Sequence, residues 1–177
     1  METMELEQTA RPASLSRVRL SIVIMPGEAN HYGTTHGGVL LRLADECGAI
    51  AALRHVGRGQ ITTAAMDSMT FLGPVFVGER VEMFAEVTYA GRTSVESRID
   101  VYAEPLEKAE PRKVGVGYCL YVALDEGHLD EGQRPLRVPP LLSETEADHR
   151  RDQAAAARQE IRQARRREAQ AEQSGKS

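Results

Sequence analysis

Asp45 stands among Leu40, Leu41, Leu43, Ala44, Ala49, Ile50, Ala51 and Ala52. In such company an ionised carboxylate costs roughly several kcal/mol unless it is paired or hydrogen-bonded. A chain keeps such a group for a structural hydrogen bond or for chemistry, and its neighbours favour chemistry. Gly37-Gly38 opens the same apolar segment. The first backbone N–H groups of a helix there have no intrahelical partner and sit at the positive end of its dipole, so they suit a polarised carbonyl or a developing oxyanion. Asn30, in the loop before the glycines, offers donors and an acceptor without charge; an Asx turn beside Gly33 is its structural alternative. At 1.5 Å per residue Asp45 lies about 10 Å along the axis from Gly38, too far for both to act on one carbonyl. In a dimer, the Asp of one helix instead faces the loop and helix start of its partner.

Other groups are weaker candidates. His31 and His36 flank this loop, as bases or as residues lining an entrance, and His36 also stands where it can cap the helix. Gly91-Arg92-Thr93-Ser94 puts a cation and two hydroxyls at a hairpin tip, a cradle for phosphate or an ordinary polar turn. Arg54 and His55 sit where a helix C-terminus favours positive charge. No His/Cys/carboxylate spacing predicts a metal site, no G-x-S-x-G elbow supports a serine nucleophile, and no Walker or Rossmann glycine pattern occurs.

The elements that must position these groups follow from periodicity. Alternation of Val18, Leu20, Ile22 and Ile24 predicts a strand over 17–25, stopped by Pro26-Gly27. A helix is predicted from Gly37 to His55, ended by Gly57 and Gly59. Four further strands are expected: 60–71; 80–89, with Val81, Met83, Ala85, Val87 and Tyr89 inward; 94–103; and 113–124. The last sets Val114, Val116, Tyr118, Leu120 and Val122 on one face, while Gly115 and Gly117 on the other predict a bulge or a close backbone approach. The order is β-α-β-β-β-β with hairpin-length connections, an α+β chain whose antiparallel sheet of five to six strands covers one helix. Residues 1–15 are expected to fray, 16–125 to form the domain and 126–142 to be an exposed connector. Residues 143–177 are expected to form an Ala/Arg/Glu-rich helix, capped by Ser143 and Glu146 and mostly solvated, with a subunit-contacting arm as the alternative.

Composition narrows the classes. The chain has 177 residues and a net charge of -4, which gives no reason to expect nucleic acid or an anionic membrane as partner. No apolar run approaches the ~18 residues of a membrane span. Cys47 and Cys119 are expected to be buried free thiols, consistent with a cytoplasmic protein.

Taken together, Ala29-Asn30-His31-x-Gly33, His36-Gly37-Gly38-x-Leu40-Leu41, Asp45 and Arg54-His55 resemble the hotdog-fold acyl-CoA thioesterases, specifically the cytosolic acyl-CoA hydrolase subgroup. Asp67-Ser68-Met69-Thr70-Phe71-Leu72-x-Pro74-Val75-x-Val77-Gly78 and Ala90-Gly91-Arg92-Thr93-Ser94 extend the resemblance over residues 17–124. It implies a hotdog sheet around the helix, with dimers joined sheet to sheet and assembled as a trimer of dimers. It implies hydrolysis of an acyl-CoA thioester without metal or cofactor, in a site shared between subunits. Asp45 would be the base or nucleophile, with Asn30 of the other protomer positioning water or thioester and Gly37 and Gly38 polarising the carbonyl. Arg54, Arg92, Thr93 and Ser94 would hold the nucleotide of coenzyme A. His36 before the glycines is also similar to the phenylacetyl-CoA thioesterase subgroup, which leaves acyl specificity open. A non-catalytic acyl-CoA-binding module on the same fold is the alternative. A hotdog hydratase would need an Asp–His pair on one loop, which is not seen.

Overall fold

The computed structural model describes residues 9–108, 110–125 and 134–174. In chain order the elements are β1 (Arg11–Pro12), β2 (Val18–Val23), α1 (Gly37–Val56), β3 (Gln60–Phe71), β4 (Glu79–Ala90), β5 (Ser94–Pro105), β6 (Arg112–Leu124), β7 (Leu141–Leu142) and α2 (Glu146–Ser174). Short 3-10 turns occupy Ala13–Ser16 and Pro26–Glu28. Five strands form one antiparallel sheet in the order β2-β4-β5-β6-β3, while β1 and β7 make a separate parallel pair.

The alternating strands wrap their apolar face around α1. Val81, Met83, Ala85 and Val87 of β4 and Val95, Ile99 and Val101 of β5 are buried against Leu40, Leu43, Ala44, Cys47, Ala51 and Ala52 of the helix. Two hydroxyls fasten helix to sheet: Ser97 donates to the Gly48 carbonyl at 2.9 Å and Tyr121 to the Asp45 carbonyl at 2.9 Å. This close approach needs a glycine, because a Cβ at Gly48 would lie 2.5 Å from the Tyr121 hydroxyl. Helix α1 stops at Gly57, in the left-handed region at φ 75°, where only glycine is unstrained. Arg11 closes that end, donating to the carbonyls of His55 (2.9 Å) and Arg54 (3.3 Å).

Bulges set which residues face the helix. On β3 the register with β6 shifts twice, around Ala64 and around Asp67, and Thr63, Met66 and Met69 thereby lie opposite Tyr121, Cys119 and Gly117 on the core side. Met69 sits against Gly115 and Gly117, whose missing side chains make the room, the close approach expected from those glycines. A further bulge at Thr88 carries Tyr89 out of the inward row of β4. On β6 the buried row is Gly115, Gly117, Cys119, Tyr121 and Ala123; Val116, Tyr118, Leu120 and Val122 face outward and are half-buried.

Four expectations about the chain ends change. Residues 9–16 do not fray: Ala13 and Ser16 are buried and β1 pairs with β7. The described part of the connector is not an exposed tether but a strap. Val138 is buried, and Leu136 and Val138 donate backbone hydrogen bonds to Ala123 and to Arg92 at the β4–β5 tip; residues 126–133 lie outside the described set. The box that starts α2 is Thr145 with Asp148, not Ser143 with Glu146: the Asp148 N–H donates to the Thr145 hydroxyl (3.2 Å) and the Thr145 N–H to the Asp148 carboxylate (2.9 Å). Finally, α2 is docked rather than solvated along its first half. Asp148, Arg151, Ala155, Arg158 and Arg162 recur at helical spacing, and Ala155 is fully buried. Most of this stripe is charged, which is why the sequence reads as a solvated helix.

Candidate active site

Asp45 sits half-buried in the middle of α1. One of its carboxylate oxygens accepts a hydrogen bond from the Thr63 hydroxyl of β3 at 2.9 Å and takes the longer arm, at 3.3 Å, of the Tyr121 hydroxyl bond shared with the Asp45 carbonyl. The second carboxylate oxygen has no hydrogen-bond partner among the described residues. Arg42, one helical turn before Asp45, pairs with Glu46 at 2.7 Å. The Asp45 carboxylate is thus held by neutral donors and keeps its charge available. Burial among apolar groups pushes the Tyr121 phenol far above its ordinary value, so it stays protonated and donates. Neither Thr63 nor Tyr121 stood out in the sequence: Thr63 is one of a Thr-Thr pair in an otherwise ordinary edge strand, and its partner is fixed only by the bulged register.

Asn30 organises its own loop. Its side-chain carbonyl accepts from the Tyr32 N–H (2.9 Å) and the Thr34 N–H (3.2 Å), and its amide donates to the Thr34 hydroxyl (2.8 Å), the Asx-turn arrangement. Among the described residues no hydrogen bond joins Asn30 to Asp45. His31 is exposed and lies against Tyr32, ring centroids 3.7 Å apart and planes tilted by 41°. His36 caps α1: its Nδ1 accepts from the Gly38 N–H at 3.0 Å. The donor assigned to a thioester carbonyl is therefore engaged by His36 in the isolated chain.

Beside Gly37 lies an open cavity of about 400 Å³ walled by Thr35, Gly37, Leu40, Phe71 and Pro74. The Thr35 hydroxyl is buried there without a hydrogen-bond partner among the described residues, a polar group at the helix start that sequence reasoning passed over. At the β4–β5 tip Arg92 is exposed, with Thr93 and Ser94 half-buried; the tip closes by the Gly91 N–H donating to the Ser94 carbonyl at 2.8 Å. Arg54 is tied elsewhere, to the Leu15 carbonyl at 3.1 Å. His55 is not a cation at the helix end. Its ring is fully buried and reaches the Pro139 carbonyl at 2.9 Å, and burial lowers its pKa. Cys47 and Cys119 are buried free thiols whose pKa burial raises to about 11. Among the described residues no cluster of three His, Cys, Asp or Glu could hold a metal, and no helix is long and apolar enough to cross a membrane.

This arrangement has relatives. The thioesterase superfamily model matches residues 32–110. An uncharacterized acyl-CoA thioester hydrolase of Bacillus subtilis, YkhA, is 32% identical over 95% of this chain and 94% of its own length. The chain belongs to the acyl-CoA thioester hydrolases of the thioesterase superfamily. The acyl-CoA hydrolase of Staphylococcus aureus, solved with butyryl coenzyme A, coenzyme A and coenzyme A disulfide, matches with a TM-score of 0.81 and 32% identity over 91% of this chain and 94% of that one. Variants of that protein with one aspartate, one asparagine or one threonine replaced by alanine match as well. An apo-hexameric acyl-CoA thioesterase matches at a TM-score of 0.81 and 32% identity, over 89% of this chain and 97% of that one. The five strands around α1 are the hotdog fold of this family.

Proposed function

We propose that this protein hydrolyses acyl-CoA thioesters to a free acid and coenzyme A, with Asp45 as the reacting carboxylate. The observation that carries the reading is the Asp45 environment: a half-buried carboxylate oriented by Thr63 and Tyr121 and unpaired with any cation among the described residues. In the S. aureus hydrolase the substituted asparagine and aspartate stand fifteen positions apart, the separation of Asn30 and Asp45 here. Asp45 takes the proton of a water or attacks the carbonyl itself. Single turnover in oxygen-18 water separates the routes, because only attack leaves the first label in the protein.

The site is completed by a second copy. Asn30 and Asp45 make their hydrogen bonds in separate places, and β2 and β3 are sheet edges. The flank of α1 exposes Ile50 and Leu53, and the end of β3 exposes Phe71 and Leu72. Joining two sheets edge to edge covers these groups and lets the Asn30 loop of one chain meet Asp45 of the other; the hexameric relative supports three such dimers. The acyl group lies in the apolar cavity by Gly37, its carbonyl at the helix start. Gly38 serves it once His36 turns away, with Gly37 beside it. Arg92, Thr93 and Ser94 bind the nucleotide phosphates, with Arg54 secondary because it is already engaged. The reaction needs neither metal nor cofactor, and the buried free thiols suit a cytoplasmic location.

Thiol release from a series of acyl-CoAs tests this. Asp45→Asn should lower kcat about 10²–10⁴-fold, the scale of removing a positioned base, with folding intact. A folded Asp45→Asn variant that turns over at the wild-type rate would refute the assignment. Binding of acyl-CoA by the wild type with no thiol released from any chain length would instead favour a binding module.

A further inference from the structure

The outer face of the sheet carries a buried ionic cluster that the reaction does not use. Glu96 of β5 has no exposed surface. It accepts from Arg158 (2.7 and 3.1 Å), from the Thr88 hydroxyl (2.7 Å) and from Arg162. Arg162, itself 9% exposed, also donates to Asp67 of β3. Because the strand order runs β5-β6-β3, this one guanidinium from α2 spans β6 and ties the edge strand to the centre of the sheet. Both carboxylates sit at irregular points: Asp67 is the inserted residue of the second β3 bulge, and Glu96 holds Thr88, the inserted residue of β4.

The register makes the consequence specific. Ser68 lies opposite Tyr118 and Met66 opposite Cys119, with Asp67 looped out between them. If that bulge closed while the one at Ala64 persisted, every residue from 60 to 66 would slide by one position. Thr63 would then lie opposite Val122 instead of Tyr121, on the outer face of the sheet. Asp45 would lose its 2.9 Å partner.

We infer that Arg162 is a positioning residue for the active site: by holding Asp67 out of the ladder it fixes the β3 register that presents Thr63 to Asp45. The inference rests on Asp45 being the reacting carboxylate. The docked C-terminal helix is then a working part of the site, although it touches none of the reacting groups.

The test is a double-mutant cycle in the full-length protein, read by kcat and KM for one acyl-CoA and by amide hydrogen exchange over residues 62–69. Arg162→Gln should lower kcat about 10-fold, the scale of a slightly misplaced reacting group, and leave KM within about two-fold. In a Thr63→Ala background the same substitution should cost less than about two-fold, since the contact it protects is already gone. Exchange across the bulge should quicken about 10-fold. Asp67→Asn removes only the β3 end of the bridge and should reproduce the kcat loss even if Arg162→Gln fails to fold. Independent, multiplying effects of Arg162 and Thr63, or unchanged exchange in a folded variant, would overturn the inference. The exchange measurement decides the pinning whatever Asp45 does; a fully active Asp45→Asn variant would overturn the reading of the site instead.

Discussion

On the inner face of the sheet Asp45 accepts from two hydroxyls, Thr63 and Tyr121. On the outer face Glu96 accepts from one hydroxyl and two guanidinium groups, Thr88, Arg158 and Arg162. The two acids belong to one small domain, Glu96 fully buried and Asp45 half-buried. Neutral donors orient a carboxylate while leaving its charge to act on something else. Cations use that charge up. Burial alone would raise the Glu96 pKa, yet Arg158, Thr88 and Arg162 hold it below the ordinary carboxylate range. Glu96 is therefore an ionised structural post, and Asp45 a group still able to react. The difference lies in the partners as well as in depth of burial.

Substitutions should separate the two faces, and the largest effects come first. Asp45→Asn should cut kcat by about 10²–10⁴ and leave the urea midpoint close to that of the wild type. Glu96→Gln should do the reverse in stability: breaking the buried cluster leaves Arg158 without its acid and Arg162 with Asp67 alone, at a cost of about 3–5 kcal/mol, read as a fall in urea midpoint. If the two swap signatures, the comparison fails. Asn30→Ala should lower kcat about 10–100-fold, the scale of losing one oriented hydrogen bond, and mixing it with Asp45→Asn should restore part of the activity if each site draws on two chains. Recovery limited to the sum of the two separate rates would place both residues in one chain. Arg92→Ala should raise KM about 10-fold with kcat little changed, because the nucleotide is bound alike in ground and transition states. The effect should shrink with salt and vanish on an acyl-pantetheine without the nucleotide; equal loss on both substrates would make Arg92 structural.

The smallest effect concerns pH. Burial lowers the His55 pKa from its ordinary 6.5, so the unfolded chain binds this proton more readily than the folded one. The His55 contribution is fully present above about pH 6.5 and is lost as pH falls from there through the lowered value, with a slope of at most about 1.4 kcal/mol per pH unit. Melting curves of wild type and His55→Gln should converge on acidification; a constant offset between them would show that His55 does not titrate.

The sequence made the reacting side of this molecule more legible than its supporting side, and the reasons are physical. Alternation of Val81, Met83, Ala85 and Val87, and the run from Gly37 to Gly57, are burial patterns that a single element imposes on itself. Asp45 stood out because a charge is costly in that company. Thr63 and Tyr121 did not, since their meeting depends on two bulges across a strand pair far apart in sequence. Helix α2 misled for a different reason: its docking stripe is built from Asp148, Arg151, Arg158 and Arg162, side chains whose type predicts solvent until Glu86, Asp67 and Glu96 are seen opposite them.

The strap over the end of α1 bears on how the chain is made. His55 reaches the Pro139 carbonyl, the Arg11 backbone N–H donates to the Pro140 carbonyl, and the Ser14 N–H donates to Glu144, 130 positions further on. During synthesis the helix and all five strands emerge before these partners exist. A ribosome-bound chain ending near residue 125 would carry the whole sheet with the His55 ring and the N-terminal turn still waiting for their acceptors. Residues 136–144 are thus a closing clasp, and contacts of such sequence separation are slow to form. Folding of the finished protein should be governed by that late closure, with residues 9–16 and 136–144 becoming protected together.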